Sequence, residues 1–196
     1  MLNEKLNDYN IILASGSPRR QEFFKGLGLD FEIRLKPIKE IYPNHLTHSA
    51  ISDFLAQLKS VPFKEELNEN DILITSDTIV WYNNEALGKP KDNQDAFNMI
   101  RSMSGQTHEV ISSVCFSTES TQKLVNAVTK VTFKDLNDEE IWYYINNFSP
   151  MDKAGAYGIQ EWFGFIAVTK IEGSFFNVMG LPVHLVYKTL NDIVNP

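Results

Sequence analysis

Cysteine is the scarcest chemical resource of this 196-residue chain, with Cys115 the single example. An intramolecular disulfide is therefore excluded, as are a cysteine-ligated zinc site and a CxxC redox pair, and a reducing compartment is the natural setting. Long apolar runs are missing as well. The first, Ile11 to Ala14, is too short for a signal-peptide core or a membrane span, and the preceding MLNEKLNDYN alternates charge and polarity, so a cytoplasmic location without a membrane partner is expected. Basic residues are in the minority, 18 Lys+Arg against 25 Asp+Glu, for a formal net charge of -7. A surface of that sign repels phosphate backbones, so no nucleic-acid partner is expected, and any anionic ligand must meet basic side chains gathered locally.

Several catalytic signatures are also absent. There is no Walker loop of the form GxxxxGK followed by Ser or Thr, no GxSxG nucleophile elbow, and no HExxH. The four histidines, His45, His48, His108 and His184, lack metal-ligand spacing and read as structural, with His45 and His48 kept as secondary candidates. No linker, low-complexity tract or repeat divides the chain, so one domain over 1–196 is expected, with at most a cleft between two lobes. A chain this long buries roughly 70% of its unfolded surface, and 43% hydrophobic residues suffice for that core.

Short apolar runs alternate with amphipathic stretches. Residues 11–15, 72–81, 110–116, 124–133 and 165–171 read as strands, and residues 18–27, 47–59, 93–103, 138–148 and 183–194 read as helices. Pro18 and Pro182 open the first and last helices, Asp92 caps the third, and Gly26 or Gly28 stops the first. The pattern is α/β.

Three constellations carry chemistry. In Leu13-Ala-Ser-Gly-Ser-Pro-Arg19-Arg20 a strand ends in small residues and a helix opens with two arginines. Cations in a first turn oppose the helix dipole, at about 0.3–1 kcal/mol each, whereas an anion there converts the same geometry into a phosphate cradle of N–H groups, hydroxyls (Ser15, Ser17) and guanidinium forks. The plain alternative is a turn with two solvated arginines. In Asp71-Ile-Leu-Ile-Thr-Ser-Asp77-Thr78-Ile-Val-Trp81 a carboxylate interrupts an apolar strand. Buried and unpaired it would cost several kcal/mol, so Asp77 must be hydrogen-bonded, paired, metal-bound or at an open cleft edge, unless it caps a turn at a strand end. The third constellation is two lysines on constrained loops, Gly88-Lys89-Pro90 and Asp152-Lys153-Ala-Gly-Ala-Tyr-Gly-Ile-Gln160, placed to touch phosphate or only to solvate a surface.

Taken in order, LASGSPRRQEFF, SDTIV, GKP, SGQTHEV, DKAGAYGIQ and GSFFNVMGLP resemble the Maf family of nucleoside triphosphate pyrophosphatases, once described as septum-formation proteins, over residues 11 to about 190. The resemblance implies an α/β fold of the inosine triphosphatase superfamily: a long mixed central sheet with flanking helices, two lobes around a nucleotide cleft, and assembly as a homodimer. It places the proton acceptor on Asp77, where Ser76 replaces the usual alanine. It places the phosphate-side residues on Ser15, Arg19, Arg20, Lys89 and Lys153. Two looser matches are Glu40, inside IKE rather than DVDE, and Lys59. Asp77 and Glu40 would then hold a divalent cation, Mg or Mn. The dTTP/UTP pyrophosphatase subgroup is marked by an arginine, a threonine and a glutamine that fall on Arg19, Thr78 and Gln160.

The implied reaction converts a nucleoside triphosphate, dTTP or UTP, to the monophosphate and pyrophosphate. Such chemistry rests on positioning and electrostatic stabilisation, which basic groups and a divalent cation supply. A glutamine amide offers a donor and an acceptor to the adjacent carbonyl and N–H of a uracil or thymine ring. Competing readings keep the reaction but change the base, to methylated GTP or noncanonical purines, or make the chain a nucleotide-binding regulator of cell division without turnover. Pyrophosphate release from UTP separates them.

Overall fold

The computed structural model describes residues 1–195. A short helix α1 (Leu2–Lys5) leads to β1 (Asn10–Leu13), α2 (Pro18–Gly26), β2 (Glu32–Ile33) and α3 (Ser49–Ser60), which runs into a 3-10 turn at Val61–Glu66. Then come β3 (Asp71–Tyr82), β4 (Glu85–Leu87), α4 (Asn93–Met103), β5 (Thr107–Ser117), β6 (Gln122–Phe133) and α5 (Asp138–Phe148). Two 3-10 turns, Pro150–Asp152 and Ala154–Ala156, precede α6 (Trp162–Ala167), β7 (Val168–Glu172), α7 (Phe175–Val178) and α8 (Val183–Ile193).

The strands form one mixed sheet in the order β2-β1-β3-β5-β6-β7, with β4 attached to β3. β2, β1 and β3 are parallel, while β3, β5, β6 and β7 are antiparallel neighbours. The architecture is therefore the expected α/β with a long mixed sheet and flanking helices. Local chemistry sets its punctuation. The Asp92 carboxylate accepts from the Asp95 N–H at 2.8 Å to cap α4, and Asn83 and Asn84 both take positive φ in the two-residue turn between β3 and β4, as a type I′ hairpin requires.

One expected strand is corrected. Residues 165–167 belong to α6, and the strand begins only at Val168. Phe163 and Ala167, four residues apart, are both fully buried on one helical face, so the period of 3.6 wins over the run of apolar residues. Gly164 permits the turn: a Cβ there would stand 1.7 Å from the Ile159 carbonyl oxygen, so the helix starts over that carbonyl only without a side chain. Smaller shifts affect β1, which stops at Leu13 rather than residue 15, and α3, which begins after His48 rather than at residue 47.

β3 positions the site. Its even-numbered residues face one side of the sheet. Ile72 and Ile74 pack with Phe24, Val186 and Leu190 at one end, and Val80 packs with Ile100, Ile141 and Phe163 at the other. Its odd-numbered residues face the other side, where Leu73 packs with Ile12 and Phe63, and Ile79 packs with Ile51 and Leu55 of α3. Along one edge β3 is paired with β5 from Leu73 to Trp81. Along the other edge β1 covers residues 71–74 and β4 covers 80–82, so residues 75–79 have no partner strand there among the described residues. Two apolar clusters on each face thus anchor both ends of a strand whose middle is open on one edge, and Asp77 is at the centre of that opening.

Candidate active site

A cleft of about 440 Å³ wraps the free edge of β3. It is lined from both faces of the sheet, by Leu55 and Ile79 on one side and Val80 and Val110 on the other. Arg19, Arg20, Glu40, Lys59, Asp77, Thr78, Lys89, Lys153 and Gln160 all line it, so nine of the ten residues that the family resemblance assigns converge on one cavity. Ser15, the tenth, lines an adjoining cavity of about 490 Å³ that shares Arg19, Arg20, Glu40, Lys59 and Lys89.

The turn after β1 is organised by its own hydroxyl. Ser15 Oγ accepts from the Ser17 N–H at 3.2 Å, and the Gln21 amide donates to the Ser15 carbonyl at 3.2 Å. Ser17 stands at the N-cap of α2, but its side chain makes no capping bond, and Ser17, Arg19 and Arg20 line both cavities. The two arginines then diverge. Arg19 is partly exposed and reaches Asp152 at 3.3 Å. Arg20 is turned inward, donating to the Gly180 carbonyl at 2.9 Å, the Ser76 carbonyl at 3.0 Å and Thr78 Oγ1 at 3.1 Å. Its guanidinium does for the free edge of β3 what a neighbouring strand would have done. Three of its five N–H donors are committed to the protein, so its share in any phosphate contact is limited to the other two.

Asp77 projects to the opposite face from Thr78 and is 5% exposed. Lys59, from the end of α3, donates to Asp77 Oδ1 at 2.7 Å and pairs with Glu40 Oε1 at 3.2 Å. The buried carboxylate is thereby compensated by a cation and a hydrogen bond. Ser76 Oγ, by contrast, is buried without a partner among the described residues, so the hydroxyl that stands in place of alanine adds no bond there.

Two oxygen donors converging on one ammonium mark a place that seeks positive charge. Among the described residues no group of three His, Cys, Asp or Glu could hold a metal alone. Asp77 and Glu40 nonetheless suit a hard divalent cation of the Mg²⁺ type, which takes one or two carboxylates and completes its shell with water and phosphate oxygens.

The remaining basic groups close the ring. The Gly155 N–H donates to the Gly88 carbonyl at 3.0 Å, tying the GKP loop to the turn after Lys153. Lys89 is exposed at the mouth. Lys153 is nearly buried, with its ammonium 2.7 Å from Asp152 Oδ1 and 3.0 Å from Glu161 Oε1. Burial alone would raise the Asp152 carboxyl, but the Lys153 hydrogen bond and charge, with Arg19, hold it below the usual carboxylate range. Gln160 is half-buried in the cleft wall.

The histidines take no part in this cluster. His48 pairs with Glu109 at 2.9 Å and packs edge-on against Trp81. His108 is buried against Tyr157 and Phe133, and burial pushes its imidazole down to about 4. Four participants were not assigned from sequence: Asp152, Glu161, Gly180 and Tyr144, whose hydroxyl donates to Glu161. Asp152 and Gly180 belong to recognised motifs, and Glu161 directly follows GIQ. Nothing in the local sequence of Tyr144 distinguishes it from a core tyrosine.

Comparison with known proteins gives the chain's lineage. Residues 10–193 match the family model for Maf-like protein. The dTTP/UTP pyrophosphatase of Flavobacterium johnsoniae is 66% identical over 194 residues, covering 99% of this chain and 100% of that protein. The dTTP/UTP pyrophosphatase of Christiangramia forsetii is 55% identical over 195 residues, covering the whole of both. Among solved structures, the Staphylococcus aureus Ham1 protein superposes with a TM-score of 0.51 at 17% identity, over 94% of this chain and 99% of that one, a likeness of fold alone. The family model spans nearly the whole chain, β3 and its free edge included, and the chain belongs to the Maf family.

Proposed function

We propose that this protein is a nucleoside triphosphate pyrophosphatase that hydrolyses dTTP and UTP to dTMP and UMP with release of pyrophosphate. The observation that carries the reading is Asp77, a nearly buried carboxylate at the centre of a cleft ringed by Lys59, Arg19, Lys89 and Lys153. The names of the relatives, 66% and 55% identical, support the substrate pair.

In this mechanism Asp77 accepts the proton of a water that attacks the α-phosphorus. The new P–O bond forms as the bond to the bridging oxygen breaks, and the electron pair leaves with pyrophosphate. Charge develops on the α-phosphoryl oxygens and the leaving group, where preorganised cations are worth most. Lys89 and Lys153 face the triphosphate, Arg19 joins them from the start of α2, and Ser15 holds the turn that presents the helix N–H groups. Lys59 holds the Asp77 carboxylate in its orientation through the 2.7 Å bond. A divalent cation, Mg or Mn, held by Asp77 and Glu40 would supply charge neutralisation for the phosphates. Arg20 braces the strand from which Asp77 and Thr78 project.

Gln160 reads the base. Its amide can donate to a ring carbonyl and accept from the adjacent N–H of uracil or thymine, and a base that leaves these groups unpaired is rejected by about 1–3 kcal/mol. Arg19 and Thr78 support that selectivity. The protein acts as a single domain and a homodimer in the cytoplasm. No helix among the described residues is long and apolar enough to cross a membrane.

The test is kcat/KM for UTP, dTTP, CTP, GTP and a methylated GTP, scored for monophosphate and pyrophosphate. UTP and dTTP should lead. Preference for the methylated purine would move the substrate class, and tight binding without turnover would make the protein a nucleotide sensor.

A further inference from the structure

Glu161 occupies the N-cap position of α6, yet its side chain makes no capping bond there. Its carboxylate points elsewhere. Oε1 stands 3.0 Å from the Lys153 ammonium, and Oε2 accepts from the Tyr144 hydroxyl at 2.5 Å. The same hydroxyl accepts from the Gly158 N–H at 2.9 Å. A Cβ on Gly158 would lie 2.7 Å from the Glu161 carboxyl carbon, so the absent side chain is what leaves the carboxylate its seat. The Glu161 N–H also donates to the Gly158 carbonyl at 3.1 Å, which closes residues 158–161 into one turn with Gln160 inside it.

We infer that Glu161 is a positioning residue that fixes Lys153 toward the triphosphate and, through Tyr144 and Gly158, fixes Gln160 toward the base. This rests on the proposed pyrophosphatase reading. Lys153 has three N–H donors and two carboxylate partners of unequal standing. The Asp152 side chain is 60% exposed and is shared with Arg19, whereas the Glu161 side chain is 21% exposed and is held by a fully buried tyrosine. An arriving phosphate displaces the exposed Asp152 and leaves Glu161 in place. One carboxylate thereby couples the two ends of the nucleotide.

The test is a double-mutant cycle of Glu161→Gln and Lys153→Ala, read by kcat/KM for UTP and by the Kd of α,β-imido-UTP, with Tm followed throughout. Glu161→Gln keeps the size and the Tyr144 bond but removes the charge beside Lys153. It should lower kcat/KM and raise Kd about tenfold with little change in Tm. The double variant should be no worse than Lys153→Ala alone. Wild-type values for Glu161→Gln, or losses that multiply in the double variant, would overturn the inference. Should Glu161→Gln fail to fold, Tyr144→Phe carries the test: it should lower the preference for UTP over CTP about tenfold, and an unchanged preference would overturn the coupling. A wild-type protein that binds the analogue but releases no pyrophosphate would overturn the pyrophosphatase reading instead, and the cycle on Kd would still judge Glu161.

Discussion

The Lys59 ammonium donates to the Asp77 carboxylate at 2.7 Å across the join between α3 and the open middle of β3. Both side chains are largely buried, at 18% and 7% exposure, so each depends on the other for compensation. Asp77→Asn keeps the shape while removing the proton acceptor, and turnover should fall by about two orders of magnitude or more with the fold intact. Lys59→Ala leaves the carboxylate uncompensated and should cost about 3 kcal/mol of unfolding free energy in urea titrations. The double variant should recover part of that loss.

Arg20→Ala removes the donors that satisfy the Ser76 and Gly180 carbonyls and Thr78 Oγ1. Stability should drop by about 2–4 kcal/mol, from the bonds left unmade, and turnover of all nucleotides should fall alike. Arg19→Ala should instead weaken UTP binding without measurable change in Tm, because its one partner among the described residues is the exposed Asp152.

Gln160→Ala should change selectivity more than chemistry. The ratio of kcat/KM for UTP over CTP should fall by about 1–3 kcal/mol in free-energy terms, with kcat for UTP nearly kept. Equal losses for UTP, dTTP, CTP and GTP would mean that Gln160 supports the wall without reading the base.

His108 makes stability depend on acid. Its imidazole takes a proton in the unfolded chain near 6.5 but resists it in the folded protein until about 4, because of burial. The unfolded state therefore binds more protons in that window, and stability, full above 6.5, is lost as pH falls toward 4 and then levels off. The loss is on the order of 3 kcal/mol. Urea titrations between pH 7 and 4 should show it, and His108→Phe, packed against the same Phe133 and Tyr157 rings, should flatten the slope.

The chemistry of the site was more legible in the sequence than its wiring. A carboxylate inside an apolar strand, a proline-opened helix beginning with two arginines, and a glycine-punctuated loop after Lys153 each break a local rule, and such breaks identify residues without coordinates. The free edge of β3 leaves no such trace, since it exists only because β1 stops at Leu13 and β4 begins pairing at Val80. The inward turn of Arg20 and the seat of Glu161 follow from contacts 160 and 17 residues apart in sequence, which no window of residues encodes. The helix at 162–167 was hidden because six mostly apolar residues fit a buried strand as well as a buried helix, and only the packing of Gly164 over Ile159 decides between them.

The central claim concerns which bond breaks. A phosphorus NMR spectrum of UTP incubated with the protein and Mg²⁺ should show UMP and pyrophosphate growing together, with both signals lost in Asp77→Asn. UDP and orthophosphate as the first products, or unchanged turnover in Asp77→Asn, would contradict the account.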